Sequence, residues 1–114
     1  MDVKTTLTKT KAGRRFMGFM RAVNQGDERV LRTTVTQYIT EEALQLHDAE
    51  TWVKQLMHIH QTTGGLKAIQ VLASDEYRVL VMMQAKSDHR LHIVDMAVSE
   101  EYPHQVSQFI QRMA

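Results

Sequence analysis

The hydrophobic period of this sequence changes once, at Gly64-Gly65, and this change constrains the fold more than any other feature. Before the two glycines, apolar residues recur at spacings of three and four, the period of a helix with one buried face. After them, apolar and polar residues alternate, which is typical of half-buried strands. Because the helices precede the strands, the sequence predicts an α+β domain with helices packed on one face of an antiparallel sheet.

Four segments before the glycines have helical character. Gly26 suits the left-handed position that ends the first segment, and Asp27 can cap the next one. Asp48 can cap the last helix, which the run from Thr62 to Gly65 ends. The predicted helices cover residues 10–24, 28–37 and 49–62, and residues 40–46 form a short helical or irregular stretch.

Strands follow the glycines, but the tail of the chain is ambiguous. Residues 103–113 fit two structures, because Val106 and Ile110 share one face of either a helix or a strand. The residue pattern alone slightly favours the helix. The three strands predicted without ambiguity cover residues 66–73, 77–86 and 89–98.

The composition excludes several classes of protein. The chain has no cysteine, so disulfides, thiolate zinc sites and cysteine nucleophiles are excluded. Its 14 basic and 13 acidic residues nearly balance, so we expect no binding to nucleic acid, although the stretch from Lys4 to Arg15 is locally basic. We find neither an apolar run long enough to cross a membrane nor a signal-peptide core, and a cytoplasmic protein without membrane contact is the default expectation.

Three short segments suggest a family. The break Asn24-Gln25-Gly26-Asp27 between two helices is typical of SnoaL-like domains. The segments from Glu50-Thr51-Trp52 to Gly64-Gly65-Leu66 and from Val98 to Val106 are more particular. With them, the chain resembles the nuclear-transport-factor-2-like (SnoaL-like) superfamily. Within it, the chain resembles small cone-shaped domains that occur alone or beside bacterial beta-lactamase-like serine hydrolases.

The resemblance implies a cone of three N-terminal helices packed on a curved antiparallel sheet of about four strands. In such relatives a Pro-His segment leads into the last strand, which implies a strand over 104–112. The likeness leaves residues 1–11 as a flexible N-terminal segment and 12–114 as a single domain. The superfamily includes isomerases, dehydratases, transport adaptors and domains with no assigned chemistry, so the fold alone assigns no reaction. Hydrolase activity is not carried over.

Enzymes of this superfamily work in a pocket between the sheet and the helices, where ketosteroid isomerases use an acidic base and a tyrosine-centred oxyanion hole. On the second strand, Tyr77, Val79, Val81 and Met83 form a face without charged residues, and we expect this face to be buried with Phe16, Trp52, Val94 and Met96. On the third strand, His92 shares a face with Val94 and Met96 and is assigned to the core side, which leaves Asp95 on the convex side. Asp95 is then a poor base, although the inverse assignment would place it in an apolar pocket that raises its pKa. His92 can bond a ligand or act as an acid–base group, or it is a core-edge histidine. Tyr38 and Trp52 are aromatic ligand-binding candidates that also suit a core.

No set of residues suits a metal or a cofactor. His58 and His60 lie two apart on a helix and diverge, and His89 and His92 lie three apart on a strand and point to opposite faces. Gly64-Gly65 joins a helix to a strand, the reverse of the order in a phosphate-binding loop. We therefore expect neither a metal ion nor a cofactor.

The convex face of the sheet is more apolar than an open, wet face should be. A contiguous apolar patch usually marks an interaction surface, and relatives in the superfamily often pair through this face. Arg78 and Gln84 can supply a polar rim. The sequence predicts a homodimer, with the candidate interface residues Leu80, Met82, Leu91, Ile93 and Asp95.

Two functions remain open. The first is a non-catalytic module that dimerises or binds a small apolar ligand in its cone. The second is a small isomerase- or dehydratase-type enzyme that uses a pocket acid or histidine. An enzyme of this type needs a pair of titratable groups that face one pocket with separated pKa values. We find no such pair, so the first function is favoured.

Overall fold

The computed structural model describes residues 2–114, in which every helix precedes every strand. The sheet has four antiparallel strands in the order β1-β2-β3-β4. The α+β class and the four-stranded antiparallel sheet are therefore confirmed. The elements are α1 (Val3–Thr8), α2 (Lys11–Gln25), α3 (Glu28–Tyr38), α4 (Glu41–Leu46), α5 (Ala49–Thr63), β1 (Leu66–Asp75), β2 (Arg78–Ala85), β3 (Leu91–Val98) and β4 (Val106–Met113).

The helix α1 lies within residues 1–11, the segment that the sequence predicts to be flexible. The Asp2 carboxylate caps α1 by accepting a hydrogen bond from the Thr5 amide at 2.8 Å, and Leu7 is buried. Gly13 permits the close approach of α1 to α2, since a Cβ atom at this position would lie 2.0 Å from the Leu7 carbonyl oxygen. A six-residue helix is too short to show a period in sequence, so only its packing identifies it.

The other helices begin and end within one residue of the predicted bounds. The Asp27 carboxylate accepts a hydrogen bond from the Arg29 amide in the first turn of α3, and the Asp48 carboxylate accepts one from the Thr51 amide in the first turn of α5. Gly26 ends α2 with a φ of 66°, where a residue with a Cβ atom would be strained. The stretch over 40–46 is helical and forms α4. The described residues therefore contain five helices, and not the three that the resemblance implies.

The ambiguous tail is a strand. The resemblance implies a strand over 104–112, and β4 pairs antiparallel with β3 over Val106–Met113. The tail is a strand because its hydrogen bonds to β3 favour an extended backbone, and these bonds outweigh the slight preference of the local residue pattern for a helix. The helical alternative for the tail is wrong.

The core lies between α2, α3, α5 and the face of the sheet that they cover, which we call the inner face. Tyr77 is expected in this core but is only partly buried. Val81 and Val94, which decide the face assignment, are 0% exposed, so the assignment of the inner face is confirmed. The other predicted core residues that are buried are Phe16, Trp52, Val79, Met83 and Met96.

Candidate functional site

An open groove of about 500 Å³ lies between α5 and the edge strand β4. A neighbouring cleft of about 250 Å³ lies between α4, α5 and β4, and Gln55 and Phe109 line both spaces. We call the two together the α5–β4 groove. Its apolar lining includes Trp52, Leu56 and Ile59, and its polar lining includes Lys54, His58 and Gln111.

The groove is open because, within residues 2–114, the backbone of the helical half is hydrogen-bonded to the free edge of β4 only at Val106, the first residue of this strand. Ile39 forms a parallel bridge with Val106, and the Thr40 amide donates to the Val106 carbonyl oxygen at 2.9 Å. Beyond this point α5 packs on α3 and α2, which leaves a gap between α5 and the second half of β4. Phe109, which lines the groove, packs its ring against the buried Phe19 ring with centroids 5.2 Å apart, so this part of the groove is in direct contact with the core.

Trp52 brings a buried donor with no acceptor to this groove. Its side chain is 7% exposed, and its Nε1 atom has no hydrogen-bond partner among residues 2–114. An indole N–H can only donate, and a buried donor without a partner costs about 1–3 kcal/mol. The Nε1 atom is almost fully enclosed, so an acceptor atom on a bound molecule would remove this cost only after a small movement of the indole ring opened Nε1 to the groove.

Tyr38 lies apart from the groove. It lines a small cleft of about 180 Å³ together with Arg15 and Phe19. The Arg15 guanidinium stacks over the Tyr38 ring at 4.2 Å from its centroid, a cation–π contact. The structure therefore does not bring the two predicted aromatic ligand-binding residues together, and of the two only Trp52 lines the α5–β4 groove.

His92 is buried on the inner face of β3, where the alternation of this strand places it. The Gln111 amide Nε2 donates to the His92 Nδ1 atom at 2.7 Å. Because Nδ1 accepts this bond, the ring hydrogen of neutral His92 lies on Nε2. Gln111 in turn lines the groove, so the structure links His92 to the groove through one amide side chain.

Asp95 lies on the opposite face of the sheet, which we call the outer face and which corresponds to the predicted convex face. The Arg78 guanidinium donates two hydrogen bonds to its carboxylate, at 2.6 and 2.9 Å, and the Asp95 side chain is only 10% exposed. These hydrogen bonds, together with the charge of Arg78, hold the pKa of Asp95 below its usual value, although burial acts to raise it. A carboxylate with a lowered pKa is a weak proton acceptor, and Asp95 on the outer face cannot reach a ligand in the groove.

The predicted interface residues share this outer face. The β-sheet register places Leu80, Asp95 and Ile110 in one row across three strands, and Met82, Ile93 and Arg112 in the next row. Leu91 and Ile110 are 40% and 41% exposed, and Leu80, Met82 and Ile93 are partly exposed. The outer face is thus an apolar surface around the Arg78–Asp95 ion pair.

Gln55, Phe109 and Gln111 line the groove but are not among the residues predicted from sequence. Phe109 and Gln111 lie on the inner face of β4 with Val106, because an irregularity in the register next to Val106 shifts the alternation by one residue. The same shift places Ile110 on the outer face, so the expectation that Val106 and Ile110 share one face of a strand is wrong. Gln55 is an exposed polar residue of α5, and nothing in the sequence around it indicates a binding site. The groove could be found only after β4 was placed at the sheet edge beside α5.

The described part of the chain meets the requirements of neither a metal centre nor a membrane-spanning helix. Within residues 2–114, no group of three or more histidine, aspartate or glutamate side chains could hold a metal ion. None of the helices in the same residues combines the length and the apolar character needed to cross a bilayer.

Comparisons of the chain with protein-family models, with curated proteins and with solved structures gave no match.

Proposed function

We propose that this protein is a non-catalytic module of the nuclear-transport-factor-2-like type that binds a small apolar ligand in the α5–β4 groove. The observation that carries the proposal is the buried Trp52 Nε1–H, which lacks an acceptor and belongs to a side chain that lines the groove. The ligand then combines an apolar body with one hydrogen-bond acceptor, such as a carbonyl oxygen.

The size and lining of the groove support this proposal. Pockets for drug-sized molecules have volumes of about 300–1,000 Å³ and are mostly apolar with a few polar groups. The larger space, about 500 Å³, falls in this range. Leu56, Ile59 and Phe109 provide the apolar contact, and Lys54 and Gln111 provide polar groups that can orient a ligand.

The same lining favours binding over catalysis. No aspartate or glutamate lines the α5–β4 groove in the described residues, and Asp95 lies on the outer face. The ionisable groups of the groove are the exposed side chains of His47, Lys54 and His58. An isomerase or dehydratase would need an acid and a base on either side of one substrate, and this lining offers no carboxylate for either role.

Titration with Nile red, a neutral apolar dye that carries a carbonyl acceptor, tests the proposal. We expect the dye fluorescence to rise on binding and the Gln55→Tyr variant, which fills the groove, to bind at least about tenfold more weakly. Gln61→Tyr is the matched control, because Gln61 is exposed on the same helix and does not line the groove. The absence of a fluorescence rise in the wild type, or equal affinities of both variants, would contradict the proposal.

A second property, homodimerisation through the outer face, is favoured by a separate observation. Leu80, Met82, Ile93 and Ile110 form an apolar surface that the described residues leave partly open to solvent. Pairing two copies about a two-fold axis would cover this surface on both, since such a contact is self-complementary. We propose that the module is a homodimer in solution.

Light scattering coupled to size exclusion tests the dimer. The wild type should have about twice the 13.2 kDa chain mass. Ile93→Lys should give a folded monomer, because two buried ammonium groups would meet in the interface. Leu46→Lys is the control, since Leu46 is 81% exposed and lies off the outer face. A wild-type monomer, or a dimer that survives Ile93→Lys, would refute this interface.

A further inference from the structure

A second cavity, of about 350 Å³, lies between the start of α2 and the loop that precedes β4. None of its lining residues lines the α5–β4 groove. Because three of the six lining side chains are those of lysine and arginine, we call it the basic cavity. Its lining residues are Lys11, Arg14, Arg15, Tyr102, Pro103 and His104.

Arg15 is held in place by neutral groups and not by an ion pair. Its Nη2 atom donates to the Pro103 carbonyl oxygen at 2.7 Å and its Nε atom to the His104 carbonyl oxygen at 3.3 Å. The stacking on Tyr38 fixes the plane of the guanidinium. These contacts use two of its five N–H donors, so a positioned guanidinium retains donors for a ligand.

Arg14 is similarly uncompensated. Its Nη1 atom donates to the Thr8 carbonyl oxygen at 2.9 Å. In the part of the chain that the structure describes, no carboxylate lies within ion-pair distance of the guanidinium of either Arg14 or Arg15. Two guanidinium groups without an ion-pair partner therefore line one cavity, and an anionic ligand would supply the missing negative charge.

Lys11 adds a third positive charge, which is only loosely paired. Its Nζ atom lies 3.5 Å from Glu76 Oε1, and both side chains are more than one third exposed. An exposed pair of this kind is weak, so an anion in the cavity can compete with Glu76 for the ammonium group. The Glu76 carboxylate nevertheless opposes anion binding, because it lies beside the Lys11 ammonium group.

The loop side of the cavity offers an aromatic surface. Tyr102 is 89% exposed, and its ring meets the His104 ring edge-on at 6.0 Å between centroids. The His104 Nδ1–H donates to the Ser99 carbonyl oxygen at 3.0 Å, which orients the ring. An exposed tyrosine beside an oriented imidazole suits the organic part of a ligand better than a bare inorganic ion.

We propose that the basic cavity binds a small phosphate ester. The phosphate accepts hydrogen bonds from Arg14 and Arg15, whose planar guanidinium groups match phosphate oxygens, and Lys11 supplies a further positive charge. The organic group of the ester lies against Tyr102. A phosphate ester fits the site better than a monocarboxylate because its charge approaches two, which matches the two uncompensated guanidinium groups.

Titration of the labelled protein with phenyl phosphate, followed by amide NMR spectra at constant ionic strength, tests this proposal. Saturable shifts should occur in the amide signals of residues 11–15 and of Tyr102 and His104, and phenol or sodium chloride should not reproduce them. Residues of the α5–β4 groove should not shift, so the result is independent of the proposed apolar ligand. The absence of saturable shifts at millimolar phenyl phosphate would overturn the proposal.

Substitutions identify the groups that bind. Arg14→Gln should weaken binding about tenfold, because it removes a charged donor from an exposed side chain without disturbing the fold. Glu76→Gln should strengthen it, because it removes the opposing charge. The control is Arg29→Gln, since Arg29 is exposed on α3 outside the cavity, and it should leave affinity unchanged. Equal weakening by Arg14→Gln and Arg29→Gln would show a general charge effect and overturn the site.

A final arm separates a free ester from a lipid headgroup. Vesicles of phosphatidylcholine that contain phosphatidic acid present the same phosphate monoester on a membrane surface. We expect phenyl phosphate to bind without vesicles. Binding to these vesicles without any binding of phenyl phosphate would overturn the assignment to a small ester.

Discussion

Two substitutions of Trp52 separate its packing from its unsatisfied donor. Trp52→Ala removes a ring that is 7% exposed, and it should lower the free energy of unfolding by about 3–5 kcal/mol. Trp52→Phe removes the N–H and part of the ring. The packing that is lost lowers the stability, but removal of the unsatisfied N–H raises it, because a buried donor without a partner costs about 1–3 kcal/mol. We expect the Phe variant to lose no more than about 1 kcal/mol.

Trp52→Phe should weaken ligand binding even though it hardly changes the free energy of unfolding. Trp52→Phe retains most of the apolar surface but cannot donate to the carbonyl oxygen of Nile red. Its affinity for the dye should fall about five- to tenfold even though its stability is nearly unchanged. If Trp52 served only to fill the core, Trp52→Phe would not lower the affinity for the dye while leaving the stability unchanged.

Urea unfolding followed by far-UV circular dichroism measures the stability of all three proteins. Tryptophan fluorescence is unsuitable, because Trp52 is the only tryptophan and both variants lack it. Protein concentration must be the same throughout, since dimerisation would add to apparent stability. If the Phe and Ala variants lost similar stability, the cost assigned to the donor would be wrong. If Trp52→Phe bound the dye as the wild type does, the donor would not belong to the site.

Further outcomes follow from the ion pair and from the packing of α1. Because Arg78 holds the folded pKa of Asp95 below its unfolded value of about 3.9, the pair adds stability above about pH 4 that is lost as the pH falls through the folded pKa. Asp95→Asn should therefore show a smaller loss of stability than the wild type between pH 6 and pH 3 in urea unfolding, and an unchanged loss would contradict this origin. Gly13→Ala should displace α1 and expose Leu7, with a net loss of about 1–2 kcal/mol and faster amide hydrogen exchange in α1. Gly18→Ala in the same helix meets no atom within 4 Å and should be neutral or stabilising by up to about 1 kcal/mol, so equal behaviour of the two variants would refute the close-packing argument.

Most of the helical half of the protein could be predicted because its signals are local. Asp27 and Asp48 bond to amides two or three residues away, and Gly26 ends α2 through its own backbone conformation. The same holds for the alternation along β2 and β3, which correctly assigned Val81 and Val94 to the core. Each of these features depends on residues that are near one another in the chain.

The candidate site was only partly predictable, because its contacts join distant parts of the chain. The pattern made Trp52 a candidate for either the pocket or the core, but it could not show that the N–H of Trp52 lacks a partner. It placed Asp95 on the outer face and Arg78 nearby, but not the two hydrogen bonds between them. It also grouped Tyr38 with Trp52, whereas the structure holds Tyr38 against Arg15.

The sequence by itself determined the α+β class, the order of the elements and the apolar character of both sheet faces. Hydrophobic period and capping residues act over a few positions, and they suffice for these features. Only the tertiary structure decided that the tail is a strand and that a groove opens between it and α5. It alone brought Arg14 and Arg15 to the loop at Tyr102. Neither the pairing of β4 nor a cavity between two elements has a signature in the local sequence, because both depend on contacts between distant residues that form only when the chain folds.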